Sequence, residues 1–374
     1  MITNKKNTLF RKLNILTVII AIILLYLIDS DIVGNQYIKR ILNLCAIYTI
    51  VSVSMNLVNG FTGLFSLGQA GFMAIGAYTV AIFTVPVELR ESIFYVVPQN
   101  PVLSQIQIPF FPALLIGGLL AALVAILIGM PVLRLKSDYL AIATLGFSEI
   151  IRIIFTNIKT ITNGALGINR IPAIPSLELD NFNISFGPMW SIFGIAALSV
   201  LLISLLVNSS YGRAFKAIRE DDIAAQAMGI SPFKHKVMSF AIGAFFAGIG
   251  GGLLASLLGT VDPKQFYFTM TYNFLLIIVL GGMGSISGTV IASFIVTAGL
   301  ELLRFFDEPL TLFGVNIPIF RAGLRMVIYS ILLMVLVLFF RNGLLGQKEL
   351  SWNAIIGWFK NKMPSHKKSE GGAL

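Results

Sequence analysis

Charge is what this sequence has least of. Only 12% of its 374 residues are Asp, Glu, Lys or Arg, while 56% are hydrophobic. An ordinary soluble domain carries about a quarter charged residues, so that class is excluded. Cysteine is scarcer still: Cys45 is alone and sits inside an apolar run, which rules out a disulfide framework and a thiolate metal site. With two histidines, His235 and His366, a histidine-rich metal cluster is excluded as well. No glycine-rich loop ends in Gly-Lys-Ser/Thr, so the chain shows no ATP site of its own. Neither a Ser–His–Asp set nor a carboxylate pair in a polar cleft is present, and nothing argues for an enzyme. The alternating segments of a β-barrel are missing too.

Long apolar runs fill the space that charge leaves. About ten can be read as helices crossing a bilayer, each near the roughly 20 residues a crossing needs. They lie near 13–28, 41–58, 66–84, 112–133, 139–157, 189–207, 237–259, 271–282, 288–303 and 324–340. The fold class is therefore an all-α polytopic membrane protein. The first run follows Lys5, Lys6, Arg11 and Lys12, but no small-residue cleavage site follows it, so it reads as a retained helix. An even number of crossings puts both termini on one side, and most of the 27 Lys and Arg fall in segments facing that side. The positive-inside rule makes that side the cytoplasm and accounts for the net charge of +10 without nucleic acid. The turn-rich stretches 85–112 and 160–188 become external loops with short strand-like or helical pieces. Residues 351–362, with Trp352, Trp358 and Lys360, read as an interfacial helix touching lipid, followed by a polar tail to 374.

Two segments break the pattern of plain spans: "GFTGLFSLGQAGFMAIGAY" (60–78) and "LGGMGSISG" (280–288). Irregular backbone at membrane depth survives only when buried in protein or lining a watery cavity, and glycine interruptions in both halves of a transporter point to its pathway. Close helix packing through small residues explains them equally well. As a pathway they would present Ser66, Gln69 and Ser285, with Gly63, Gly68, Gly71, Tyr78, Thr144, Glu149, Gly281, Gly282 and Gly284 beside them. For "GAFFAGIGGGLLAS" (243–256) packing is the better reading. Glu149 and Arg152, three apart on one helix face, are expected to pair structurally rather than relay protons.

One dense charged segment, "YGRAFKAIREDDIAAQAMGI" (211–230), stands between two apolar runs on the basic side. Ser209 or Ser210 can cap a first helix and Asp221 or Asp222 a second. Gly229 suits the C-cap, and Ser231-Pro232 opens the next span. Ile223, Ala224, Ala227 and Met228 form a small apolar face with Gln226 opposite. So short a helix is unstable alone and has to dock, on a protein groove rather than on lipid, because its side chains are small.

That loop closely resembles the cytoplasmic loop of permease subunits of branched-chain amino-acid ABC importers, the LivH/LivM family, and most of all the LivM type. "NLVNGFTGLFSLGQAGFMAIGAYTVA" (56–81), "VLRLKSDYLAIATLGFSEIIR" (132–152), "VLGGMGSISGTVIA" (279–292) and "RNGLLG" (341–346) resemble the family's blocks in order and spacing. The resemblance implies a non-catalytic permease domain over 1–350, with a coupling loop at 208–236 and an interfacial tail at 351–374. It implies four kinds of partner: a second homologous permease subunit, two ATP-binding cassette ATPases that use ATP with Mg, an extracytoplasmic binding protein and membrane lipid. Gly212, Arg213, Arg219, Glu220, Asp221, Ala224 and Gly229 would lie at the ATPase contact. The family often carries His where Gln69 stands, which speaks against titration there. Urea-importer permeases share the same blocks, making urea or short amides the runner-up substrate. An ion-coupled carrier would need intramembrane ion sites, and Glu149 is essentially all the chain offers.

Overall fold

The apolar runs fold as helices in the computed structural model, which describes residues 19–29 except 21, 35–135, 137–179, 184–303, 307, 311–312, 315–316, 323–339, 343–346 and 348–349. Helix α1 (Gln36–Asn56) passes directly into a π-helical turn, Leu57–Phe61. It is followed by α2 (Gln69–Thr84), a short α3 (Val87–Ile93), α4 (Phe110–Val132) and α5 (Ser137–Asn157). Helix α6 (Pro188–Asn208) leads to α7 (Ser210–Glu220) and α8 (Asp222–Ala227), and α9 (Pro232–Leu258) returns through the bundle. Helices α10 (Phe268–Gly281), α11 (Ile286–Leu302) and α12 (Leu324–Phe339) complete it. The second to the tenth expected spans each coincide with one of these helices. Of the first, residues 22–28 are helical, and 13–18 lie outside the described residues, as do 351–374.

Span lengths differ from the sequence expectation. Among the described residues, five stretches are long and apolar enough to cross a bilayer: Gln36–Phe61, Phe110–Val132, Tyr139–Asn157, Pro188–Asn208 and Pro232–Leu258. A sixth arises if α2 and α3, bent by 117°, count as one. The expected 66–84 span starts only at Gln69, because 62–68 is non-helical. Helices α10 and α11, at 14 and 17 residues, are each shorter than a crossing and meet at a break.

The two ends of the bundle are unlike. One carries α7, α8 and both non-helical breaks. The other carries short antiparallel pairs, Ile168–Asn169 with Thr260–Val261 and Leu177–Leu179 with Ile184–Phe186. There Arg90, only 3% exposed, turns the chain from α2 to α3. Its guanidinium donates to the carbonyls of Ile82 (3.1 Å), Val85 (2.9 Å), Ile106 (2.8 Å) and Leu103. The last carbonyls of a helix lack partners, and a five-donor fork can serve several at once.

Helices α1 and α9 form the buried centre, while α4 and α6 turn Leu115, Leu119, Leu123, Leu127, Leu198, Leu201 and Leu205 outward. This is the arrangement of a multi-pass membrane protein, with apolar side chains facing lipid as well as the core. The glycine-rich stretch 243–256 is where backbones touch. A Cβ at Gly76 would stand 1.9 Å from the Gly248 carbonyl oxygen, and one at Gly251 would stand 2.0 Å from that of Met73. Association in lipid relies on such close approach rather than on a hydrophobic drive.

Gly76→Ala is therefore expected to destabilise the bundle by about 1–3 kcal/mol, seen as a lower midpoint of thermal unfolding in detergent. Gly146→Ala, where a Cβ meets nothing within 4 Å, should be neutral or stabilise by up to about 1 kcal/mol.

Candidate functional site

Helix α1 is apolar on average, yet Thr49, Ser52, Ser54 and Asn56 are all buried along it, and Asn59 is buried in the π-turn that follows. Asn56, fully buried, is the most connected. Its Nδ2 donates to the Ser285 carbonyl (2.9 Å) and to Thr289 Oγ1 (2.7 Å), and its Oδ1 accepts the Gly284 N–H (2.9 Å). Two of these partners are backbone groups where α10 stops and α11 starts, and the third is a hydroxyl in the first turn of α11. Gly282 (φ 109°) and Gly284 (φ 94°) take left-handed backbone that other residues avoid. Ser285 caps α11, its Oγ accepting the Gly288 N–H at 3.1 Å. Residues 343–346 and 348–349 close over this break. The Leu344 N–H donates to the Leu280 carbonyl (2.7 Å), and the Glu349 carboxylate accepts the Ile286 (2.8 Å) and Ser287 (3.0 Å) N–H groups. A carboxylate there complements the helix dipole.

The second break, 62–68, is satisfied in the same manner. The Asn59 amide pairs with both backbone groups of Ser66, at 3.1 and 3.3 Å. Thr144 Oγ1 accepts the Leu67 N–H (2.9 Å), Gln69 donates to Ser54 Oγ (2.7 Å), and Thr271 Oγ1 accepts the Ala70 N–H (3.1 Å). Gly63, Ser66, Gly68, Gln69, Gly71 and Thr144 thus gather at one break, and Gly281, Gly282, Gly284 and Ser285 at the other. Asn56 and Asn59 of α1 and its π-turn stand between them.

Two expected residues lie apart from both breaks. Tyr78 packs farther along α2 on Phe155, with ring centroids 4.6 Å apart. Glu149 accepts from Arg152 Nε (2.7 Å) and from the Phe268 N–H (3.3 Å), while Arg152 lies over the Tyr267 ring. Its charge is paired and caps α10.

The charged loop is built as the capping residues require. Ser209 Oγ accepts the Tyr211 N–H (3.2 Å) and starts α7. Gly212 lets α7 fold back on α6, since a Cβ there would stand 2.0 Å from the Val207 carbonyl oxygen. Arg213 bonds Ser210 at the surface, and exposed Glu220 receives Arg219 Nη2. Asp221 accepts the N–H groups of Ile223 (2.7 Å) and Ala224 (3.0 Å) and starts α8. Those bonds, Ala224's first, hold its carboxyl below the usual range. Gly229 (φ 82°) ends α8: its N–H reaches the Gln226 carbonyl, and the Ile230 N–H reaches that of Ala225. Ser231-Pro232 opens α9 in the expected place, although the Ser231 hydroxyl makes no capping bond. The apolar face is exposed, with Ile223 at 79% and Met228 at 82% beside Ala224 and Ala227.

Arg219 joins the loop to both breaks. Its Nη1 donates to the Gly60 carbonyl of the π-turn (2.8 Å). A Cβ at Gly63 would lie 2.8 Å from Arg219 Cγ, and one at Gly284 2.8 Å from Nη1. With Asn59, Met283 and Gly346, Arg219 lines a cavity of about 910 Å³. Sequence reasoning placed Arg219 only at an external contact. It passed over Asn56 and Asn59, although polar side chains inside an apolar run were a usable signal. Nothing in the sequence marked Glu349. Among the described residues no cluster suits a metal ion.

A family described as "Branched-chain amino acid transport system / permease component" matches residues 37–340. The chain is 38% identical over 290 residues to the high-affinity branched-chain amino acid transport system permease protein LivM of Escherichia coli (strain K12), covering 72% of this chain and 64% of that relative. It is 37% identical over 284 residues to the LivM protein of Salmonella typhimurium, covering 70% of this chain and 62% of the relative. It thus spans slightly less than two thirds of either protein. A probable LivM of Methanocaldococcus jannaschii is 26% identical over 339 residues, 84% of this chain and 94% of its own. No solved structure matches.

Two outcomes test this geometry. Asn56→Leu strands the Gly284 N–H, worth about 1–3 kcal/mol when buried and unpaired, while the Ser285 carbonyl and the Thr289 hydroxyl keep their bond to each other. Hydrogen exchange at 282–289 should accelerate. The Asp221 cap is complete above the ordinary carboxylate range and is lost as pH falls through its lowered value. Protection of the Ile223 and Ala224 amides should fall in that acid window, and Asp221→Asn should abolish the pH dependence.

Proposed function

This chain belongs to the family of branched-chain amino acid transport permease components, and we propose that it forms half of the membrane pathway of an ATP-driven importer. The cargo is leucine, isoleucine or valine. The other half of the pathway is a second, homologous permease subunit. Two separate ATPase subunits hold ATP with Mg beneath the pair, and an extracytoplasmic binding protein delivers substrate. The chain sits in a prokaryotic cytoplasmic membrane with α7, α8 and both termini on the cytoplasmic side, as the basic bias favours.

The Arg219 bridge carries this reading. Helix α8 offers Ile223, Ala224 and Met228 as a small exposed apolar face suited to an ATPase groove. Helix α7 is locked on the end of α6 through Gly212, so a push on α8 is passed on rather than absorbed. Its C-terminal turn carries Arg219, which grips the Gly60 carbonyl and abuts Gly63 and Gly284. Movement of α7 thus pulls on the two places where the transmembrane backbone is already broken. A charged hydrogen bond is worth about 1.5–3 kcal/mol, which matches the roughly 1–3 kcal/mol typical of coupling between sites. An ion-coupled carrier is disfavoured because the Glu149 carboxylate is already engaged on both oxygens.

In proteoliposomes holding the whole complex, Arg219→Ala is expected to leave ATP hydrolysis and membrane insertion in place while cutting uptake about tenfold or more. Gly229→Trp and Glu220→Arg should likewise uncouple hydrolysis from uptake. Wild-type uptake by all three variants, or ion-driven uptake by this chain alone, would sink the proposal.

A further inference from the structure

Helices α6 and α11 both pack on α1 and leave between them a groove of about 1010 Å³. Small residues open it, with Ala196 and Ala197 on one wall and Ala46 on the floor. Thr49 also reaches the floor, but its hydroxyl is already bonded to the Cys45 carbonyl at 2.7 Å. The walls are otherwise apolar, chiefly Phe193, Leu201, Val290, Ile291 and Phe294. From Phe193 to Asn208 the α6 wall runs about 22 Å at 1.5 Å per residue, enough to take the roughly 15 Å of hydrocarbon in one leaflet. Leu198, Leu205, Ile291 and Ile295 are exposed beside it, so the groove is continuous with the lipid-facing surface.

Polar groups gather at one end only, the end that carries α7. Asn208, Lys216, Ser287 and Glu349 form the mouth there. The Glu349 carboxylate is taken up by the Ile286 and Ser287 N–H groups, where it complements the α11 dipole. Lys216 is exposed, with its ammonium 5.6 Å from the centroid of the Phe61 ring. Among the described residues no carboxylate pairs with it. Arg213, one turn earlier on α7, is exposed on the same side. The groove thus has the profile of an amphiphile: a long apolar slot under a single basic mouth.

We propose that this groove holds an acyl chain of an anionic phospholipid, with the lipid phosphate at Lys216. A headgroup of net negative charge matches the basic mouth, and the chain covers apolar walls that face the bilayer in any case. A helix formed by residues 350–362 is a poorer occupant. Running up the groove from Glu349, it would carry Lys360 and Lys362 to bilayer depth, where charge is costly. The headgroup stands between α7 and the start of α11. Gly284, which Arg219 abuts, lines the same groove, so leaflet composition reaches the second break.

Photoactivatable phosphatidylglycerol and phosphatidylcholine, each with a diazirine in the acyl chain, test the site on the full chain in phosphatidylcholine nanodiscs. Labelling mapped by mass spectrometry is expected to concentrate on 193–208 and 286–294. Phosphatidylglycerol should be favoured about fivefold, the equivalent of the roughly 1 kcal/mol that one Lys near the surface contributes. Lys216→Gln should remove that preference and Lys216→Arg should retain it. Ala197→Trp, which fills the slot, should cut labelling by both probes about tenfold or more. Equal labelling by the two probes, an unchanged preference in Lys216→Gln, unchanged labelling in Ala197→Trp, or labelling spread evenly over the outward faces of α4, α5 and α6 would overturn the proposal. The assembled complex should give the same pattern, and loss of labelling there would overturn it in favour of a protein occupant.

Discussion

No backbone N–H or carbonyl can stay unpaired at membrane depth without costing several kcal/mol. That constraint decides where this chain is allowed to stop being helical. Each of its two breaks is permitted because side chains were supplied for the groups the break releases. Asn56 takes three partners at 284–289, and Asn59 restores both backbone bonds of Ser66. Asn56 ends α1 and Asn59 lies in the π-turn that continues it, so one buried stretch underwrites the irregular backbone on either side of it. The π-turn at Leu57–Phe61 follows the same logic: an inserted residue shifts the hydrogen-bond ladder and leaves the Gly60 carbonyl available to Arg219.

The same constraint separates stiff parts from movable ones. Along α9 the glycines bring backbones into contact at Gly76–Gly248 and Met73–Gly251, and close-packed interiors of this kind do not deform gradually. The breaks are held differently, by a few hydrogen bonds that can be exchanged. A force applied at α7 therefore meets a rigid α2–α4–α9 block and a set of joints next to Arg219, and it moves the joints. Glu349 acts at the same place from outside, holding the start of α11.

Most of the helices were legible because lipid demands length and apolarity, and both are written in composition. The caps at Ser209, Asp221 and Gly229 were legible because they depend on neighbours within four residues. Three things were not. The extent of 62–68 depends on whether Asn59 reaches Ser66, a fact of folding and not of spacing. The sharing of one α1 face between residues near 66 and near 285 is a contact across more than 200 positions, invisible to any local pattern. Arg219 was recognised by position in a loop, but its inward reach follows from α7 folding back on α6 at Gly212. Glu149 and Arg152, three residues apart, paired as their spacing implied, and that pairing separates Glu149 from the broken segments.

Scarcity of charge turns out to be informative about use. A chain that places few charges near lipid keeps those with a task, and several of the described ones serve main-chain groups. Arg90 holds the carbonyls at the α2–α3 bend, Glu149 the start of α10, Glu349 the start of α11, Asp221 the start of α8 and Arg219 the π-turn. These residues act as removable pieces of backbone pairing, placed where the helical ladder ends.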